Sequence, residues 1–321
     1  MKDFIKFKSD VAFFVREFFR KHNYLEVDTP MFSKYIIPES SIEVFSTEES
    51  NLQKEKYFLV PSPEVHIKKL LAKYDCSIFS LSHCFRAGES QGRLHNPEFT
   101  MLEYYTVEAD YLDSLKITEK LFSFLVKSLR ENSLLDKKTA VAFNEKSLYI
   151  SMDDAFAKYA NFYLSENQKY EDLLAKVKDL NLSVGNLETY SYQDLYELVL
   201  VSCLEPNLPK NRLVVLMDYP AVSSTLSKHK IVNGMEVTER WELYFNGVEL
   251  ANCYSELRDA SKVDEFFADE IKKRKEKGFS EIVPPPNFAK TCATMPRCSG
   301  VAMGFDRLLM LLAGRKSIES F

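Results

Sequence analysis

Glu242, Glu249 and Glu256 recur every seven residues in RWELYFNGVELANCYSELRD, residues 240–259. A heptad would suit a helix, but Asn246-Gly247 lies between two short aromatic and aliphatic runs, the strongest short-range sign of a β-hairpin. The carboxylates therefore stand on strands, among residues that otherwise read as core. Such charges need a cation, either a metal or an amine. In a two-residue hairpin Tyr244 faces Glu249, so Glu242 and Glu249 are diagonal neighbours on one face. Residues 249 and 256 have opposite parity along a regular strand. A bulge near Ala251-Asn252, or the end of the strand, is needed if all three glutamates are to line one pocket.

A second chemical stretch is FRAGESQGRLHNPEFTMLEYY, Phe85 to Tyr105. Arg86 ends a strand, where its guanidinium can clamp a phosphate or carboxylate with two parallel hydrogen bonds. Phe99, on the returning strand, can stack on a flat base. A third is GVAMGFDRLLML, where Gly300 and Gly304 permit close backbone approach and Arg307 opens a helix. Two arginines, a stackable ring and a carboxylate pair together describe a nucleoside triphosphate site. The chain has neither GxxxxGK[ST] nor GxGxxG, which excludes a P-loop and a Rossmann site.

The elements that must carry these residues can be read from period and punctuation. Residues 9–23 read as an amphipathic helix capped by Ser9, and YLEVDTPMF as a strand ended at Pro30. KYFLVPSPEVHIKKLLAKY runs from strand to helix, with Ser62-Pro63-Glu64 opening the helix. CSIFSLSHCFRAGE and NPEFTMLEYYTV read as a strand and its return, and residues 111–131 as a helix. Residues 165–207 hold two helices that carry no evident chemistry. RLVVLMDYP is an apolar strand before the hairpin. The helix after the hairpin turns Val263, Phe266, Phe267 and Ile271 inward. Strands and helices mix without regular alternation and most neighbouring strands fit an antiparallel arrangement, so the fold class is α+β.

The bulk numbers agree with a folded enzyme domain. The chain has 321 residues, 45% of them hydrophobic, and a net charge of −5, which offers no general affinity for nucleic acid. None of the six cysteines forms a CxxC pair, and reduced thiols are expected. No run reaches membrane length and no signal peptide is evident, so the cytoplasm is the expected location.

FRAGE…HNPEFTMLEYY resembles motif 2 of the class II aminoacyl-tRNA synthetases, GVAMGFDRLLML resembles motif 3, and REFFRKHNYLEVDTP resembles motif 1 with Pro30 as its proline. The likeness is nearest to lysyl-tRNA synthetase and runs from about residue 9 to about residue 314. Motif 1 begins near the first residue, leaving no room for the anticodon-binding domain that precedes it in those synthetases. That shape is similar to the truncated homologues that attach lysine, usually (R)-β-lysine, to a lysine of translation elongation factor P. RWELYFNGVELANCYSELRDA and MPRCSGVAMGFDR resemble that group in particular. The expectation is one class II catalytic domain over residues 1–321, mainly antiparallel sheet flanked by helices, with 165–207 as an insertion.

The resemblance implies roles for individual residues. Glu242 and Glu249 would hold Mg²⁺ against the phosphates of ATP. Glu103, Tyr105 and Glu256 would receive the ε-ammonium of lysine, with Ser62 beside them, and Glu64 the other amino group. Asn252 and Arg86 would hold the carboxylate, and Tyr254 would line the pocket. Ala302 stands where the synthetases have glycine, and its methyl suits a shifted amino group. Arg86 would meet the α-phosphate and Arg307 the γ-phosphate, which makes them the catalytic pair. Glu89, His95, Asn96, Phe99, Leu250 and Gly304 would contact the nucleotide. The loop before His95 is one residue longer than the pattern, and RAGE stands where RxE is usual. Motif 1 implies a homodimer. The implied acceptor is elongation factor P rather than tRNA. The alternatives are a truncated synthetase that charges tRNA and a non-catalytic paralogue.

Overall fold

The computed structural model describes residues 2–48, 55–88, 92–223 and 225–318. An eight-stranded sheet forms its centre. In chain order the strands are β1 (Leu25–Glu26), β2 (Ile78–Phe85), β3 (Glu98–Val107), β4 (Leu148–Ser151), β5 (Leu213–Met217), β6 (Arg240–Phe245), β7 (Val248–Ser255) and β8 (Cys298–Gly304). They lie side by side as β1-β2-β3-β8-β7-β6-β5-β4. The inner pairings are all antiparallel, and the two edge pairings, β1 with β2 and β4 with β5, are parallel. This is the α+β architecture expected from the sequence.

Period two divides the sheet into two faces. Phe79, Leu102, Tyr104, Trp241, Leu243, Cys253, Val301 and Met303 point to one face and join the main core. Helices Lys2–Lys21, Tyr111–Glu131, Lys137–Asn144 and Phe305–Leu312 contribute the apolar residues that cover it. Helix Tyr111–Glu131 begins at a capping box. Asp110 accepts from the backbone N–H groups of Leu112 and Asp113 at 2.9 and 3.0 Å, and Asp113 accepts from Asp110 N–H in return.

Some boundaries differ from the sequence expectation. The first helix starts at Lys2 rather than at Ser9, because Phe4 and Phe7 extend the buried stripe of Val11, Val15 and Phe18 by two turns. Ser9 is therefore an interior helix residue. The strand expected over YLEVDTPMF is only β1, since Pro30 cannot donate to a ladder, and Phe32–Ser33 joins a separate three-stranded sheet. In helix Ala260–Glu276, Ile271 is 41% exposed; Glu270 and Arg274 turn inward instead. Glu270 accepts from Ser40 N–H at 2.5 Å, and Arg274 donates to Glu39 O at 2.8 Å and to Glu43 Oε1 at 3.2 Å. That polar set fixes the 39–43 segment, which borders the cleft described next.

Candidate active site

The other sheet face lines a cleft of about 870 Å³. Its floor follows from register. Gly300 of β8 pairs with Tyr105 of β3 and Tyr254 of β7, and Ala302 pairs with Glu103 and Asn252. Glu242 pairs with Asn252, and Tyr244 pairs with Glu249 as the hairpin rule requires. Between these two pairs the register shifts, since Leu243 opposes Ala251 and Leu250 is the extra residue. The bulge thus lies one position before Ala251-Asn252. It reverses the parity, so Glu249, Asn252, Tyr254 and Glu256 all border the cleft. Leu250 also borders the cleft while its side chain is buried in the main core.

One end of the cleft is built for positive charge. Glu103 is 1% exposed; it accepts from Ser62 Oγ at 2.6 Å and from Tyr105 OH at 3.2 Å. Ser62 Oγ also accepts from Glu64 N–H at 3.1 Å, which ties this contact to the start of helix Glu64–Tyr74. Burial pushes the Glu103 carboxyl up to about 8. The charge of Glu64 adds to the rise, and the bonds from Ser62 and Tyr105 oppose it. Burial also raises Glu256, to about 7, with Lys68 opposing.

Lys68 is the unforeseen member of this end. It is wholly buried, bonds the Glu64 carboxylate, and lies 2.7 Å from Glu256 Oε2. Burial alone would lower its affinity for a proton, but the charges of Glu256 and Glu64 hold it well above the ordinary lysine value. Gly300 makes this packing possible. A Cβ there would lie 2.4 Å from both Glu256 Oε1 and Tyr105 Cε1.

The other end collects groups suited to phosphates. Arg307 donates to Glu249 O at 2.9 Å and to Leu94 O at 3.3 Å, shares a 2.9 Å contact with His95 Nε2, and lies 3.6 Å from the Glu249 carboxylate. Arg86 sits 5.2 Å over the ring of Phe99. Asn96 and Gly304 line the same wall, and the atoms nearest a Cβ on Gly304 would be those of Arg307, at 3.5 Å or more. The fold itself therefore leaves room above Gly304. Partial burial and the neighbouring charge of Glu242 raise the Glu249 carboxyl, whose side chain is still 42% exposed, with Arg307 and Arg240 opposing. Glu89 lies outside the described residues.

Between the two ends stands Arg240, also unforeseen. It pairs with the Glu242 carboxylate and donates to Asn252 Oδ1 at 3.2 Å and to Ser223 Oγ at 3.1 Å. Its guanidinium lies 4.3 Å over Tyr219. Glu242 accepts from Tyr219 OH at 2.6 Å and from Tyr244 OH at 2.7 Å, and Asn252 donates to Tyr254 OH at 2.8 Å. Glu39 is a third addition, bordering the cleft with its carboxyl raised to about 7 by burial and the charge of Glu64.

The cleft thus gathers Ser62, Glu64, Arg86, His95, Asn96, Phe99, Glu103, Tyr105, Glu242, Glu249, Leu250, Asn252, Tyr254, Glu256, Ala302, Gly304 and Arg307, all but Glu89 of the residues named from sequence. The 165–207 segment, whose helices carry no evident chemistry in the sequence, also reaches the cleft. Ser191, Gln193, Asp194 and Glu197, at the start of helix Tyr192–Val199, border the cleft, and Glu205 accepts from Tyr244 OH at 3.0 Å. The glutamate of the Glu64–Lys68 spacing was read from the helix start, and the i,i+4 lysine was the available signal for its partner. Nothing local marks Arg240 or Glu39.

A central antiparallel sheet with arginines at one end of its cleft and buried carboxylates at the other defines the class. The chain belongs to the class II tRNA synthetases (D, K and N), whose family pattern matches residues 1–321. Among curated relatives it is similar to the elongation factor P–(R)-β-lysine ligase of Buchnera aphidicola subsp. Baizongia pistaciae (strain Bp), 33% identical over 316 residues, covering 97% of this chain and 91% of that one. The protein of the same name from Proteus mirabilis (strain HI4320) is 32% identical over 319 residues, covering 97% and 91%.

Proposed function

We propose that this chain activates lysine or (R)-β-lysine with ATP and transfers it to a lysine side chain of translation elongation factor P. The observation that carries the reading is the charge order of one cleft: buried Glu103 and Glu256 with part-buried Glu64 at one end, Arg86 and Arg307 at the other. A diamino acid laid between them places its ammonium groups on the carboxylates and its carboxylate toward Arg86 and Asn252. An opposite-charge pair at ~4 Å is worth about 4 kcal/mol at an effective dielectric near 20. A cleft for aspartate or asparagine would need cations at the first end. The ligases named above supply the acceptor in this reading.

The amino acid carboxylate attacks the α-phosphorus of ATP, the bond to pyrophosphate breaks, and an acyl-adenylate forms. Arg86 and Arg307 neutralise charge that develops on the phosphates. The acceptor amine then attacks the acyl carbon, loses a proton, and AMP leaves. No nucleophile from this chain is consumed. Glu242 and Glu249 fit Mg²⁺ by donor type, two hard oxygen groups beside each other, and among the described residues no larger ligand cluster competes. Bound there, Mg²⁺ would supply positive charge to the phosphates.

We further propose a homodimer interface on motif 1 and its flanks, where Leu25 within the motif and Phe13, Met31 and Phe32 on either side of it are all exposed. No helix among the described residues is long and apolar enough to cross a membrane, and the cytoplasm is the expected setting. The deciding experiment offers labelled lysine or (R)-β-lysine, ATP and Mg²⁺ with elongation factor P and lysine tRNA at equal concentration. Label on the protein is expected; label on the tRNA would make the chain a tRNA-charging enzyme.

A further inference from the structure

The amine end of the cleft contains an ammonium of its own. Lys68, on helix Glu64–Tyr74, projects under the sheet with no exposure and meets Glu64 from its own helix and Glu256 from the end of β7. Glu103 of β3 and Glu39 of the 39–43 segment feel its charge, and the thiols of Cys292 and Cys298 face it from the helix Phe288–Thr294 and from β8. Burial raises both thiols, so they stay uncharged. Glu39 is offset by Arg86, and Glu270 is met by Lys273 at 3.1 Å.

A solvated surface pair at i,i+4 would add only tenths of a kcal/mol. This pair is different because its lysine is wholly buried and also holds the buried Glu256, and a buried charge without compensation is costly. Lys68 pairs with Glu64 and Glu256, and in the empty cleft burial keeps a proton on Glu103. Once bound ammonium groups hold all three carboxylates ionised, Glu64, Glu103 and Glu256 set against Lys68 leave two negative charges. A diamino acid carries two ammonium groups.

We propose that Lys68 is a specificity-determining positioning residue, which fixes Glu64 and Glu256 in the cleft wall and trims the charge of the amine end to match a substrate with two ammonium groups. The proposal rests on the proposed function. Lys68 itself touches no reacting atom. With Lys68 replaced by an apolar residue, the three carboxylates crowd together, at least one takes up a proton, and Glu256 loses its anchor 2.7 Å away. The loss falls on the amino acid and spares the nucleotide, because Arg86, Arg307 and Glu249 lie at the far end.

The test uses pyrophosphate exchange, with KM for amino acid and for ATP measured from pH 6 to 9 on the unmodified chain, Lys68→Met, Glu256→Gln and the double variant. Lys68→Met is expected to raise the amino acid KM at least tenfold while the ATP KM stays within twofold, and to move the acid limb of kcat/KM to higher pH. Glu256→Gln alone leaves one net negative charge; the double variant restores two and is expected to bind lysine more tightly than Glu256→Gln. Equal losses in both KM values, or an unchanged amino acid KM in Lys68→Met, overturn the proposal. Where Lys68→Met does not fold, the comparison of Glu256→Gln with the double variant decides, and a double variant that is no better overturns it. Exchange by the unmodified chain with an indifferent Lys68→Met sinks this inference alone; no exchange by the unmodified chain with any diamino acid sinks the proposed function as well.

Discussion

Gly300→Ala isolates the amine end of the cleft by one methyl group. The glycine lies between Tyr105 and Tyr254 in the sheet, and its added Cβ would stand 2.4 Å from Glu256 Oε1 and 2.4 Å from Tyr105 Cε1. Ordinary contact between such atoms is about 3.5 Å, so one or both neighbours must retreat by roughly 1 Å. Neither has free room. Glu256 is 2.7 Å from the Lys68 ammonium, and Tyr105 is 4% exposed. Overpacking of this kind costs about 1–3 kcal/mol. If the strain is relieved by displacing Glu256, the amino acid KM should rise by about 5- to 150-fold, at 1.4 kcal/mol per decade. The ATP KM should stay within about twofold, because the atoms nearest a Cβ on Gly300 belong to Glu256 and Tyr105 of the amine end. Pyrophosphate exchange with lysine and (R)-β-lysine measures both constants, and a thermal melt shows whether the strain was taken up as stability instead. An unchanged amino acid KM with an unchanged melt would refute the packing argument and remove Glu256 and Tyr105 from the substrate wall.

Three further outcomes follow from the same geometry. Glu103 carries a carboxyl raised from the ordinary range to about 8, so the folded state keeps a proton that the unfolded state has lost, and its contribution to stability falls as pH rises between roughly 4.5 and 8. Glu103→Gln should therefore raise the melting temperature more at pH 8 than at pH 5 while abolishing lysine activation; equal shifts at both pH values would contradict the burial argument. Glu249→Gln should remove pyrophosphate exchange and leave the melt within a few degrees, since an amide is a neutral and poorer Mg²⁺ ligand; full activity at limiting Mg²⁺ would take Glu249 out of the site. Phe13→Asp should halve the mass seen by light scattering if motif 1 forms the dimer interface, and an unaltered mass would move that interface elsewhere.

What the sequence determined by itself was short-range. Asn246-Gly247 set the hairpin and the pairing of Tyr244 with Glu249, because a two-residue turn leaves no choice of register. Period two then put Glu103 and Tyr105 on one face of β3. Motif order carried the family and with it most of the cleft residues. Tertiary structure alone decided the rest. Parity required either a bulge near Ala251-Asn252 or the end of the strand; that it is a bulge, and that it falls at Leu250, depends on how β7 meets β6 on one side and β8 on the other. Lys68 reads as one of several lysines on an amphipathic helix until Glu256, 188 positions away, is laid beside it. Helix Tyr192–Val199 reads as plain until Ser191, Gln193 and Asp194 at its start are seen to line the cleft. Turn chemistry and side-chain period act over a few residues, whereas charge compensation in a buried site depends on which distant elements the packed core brings within a few ångströms.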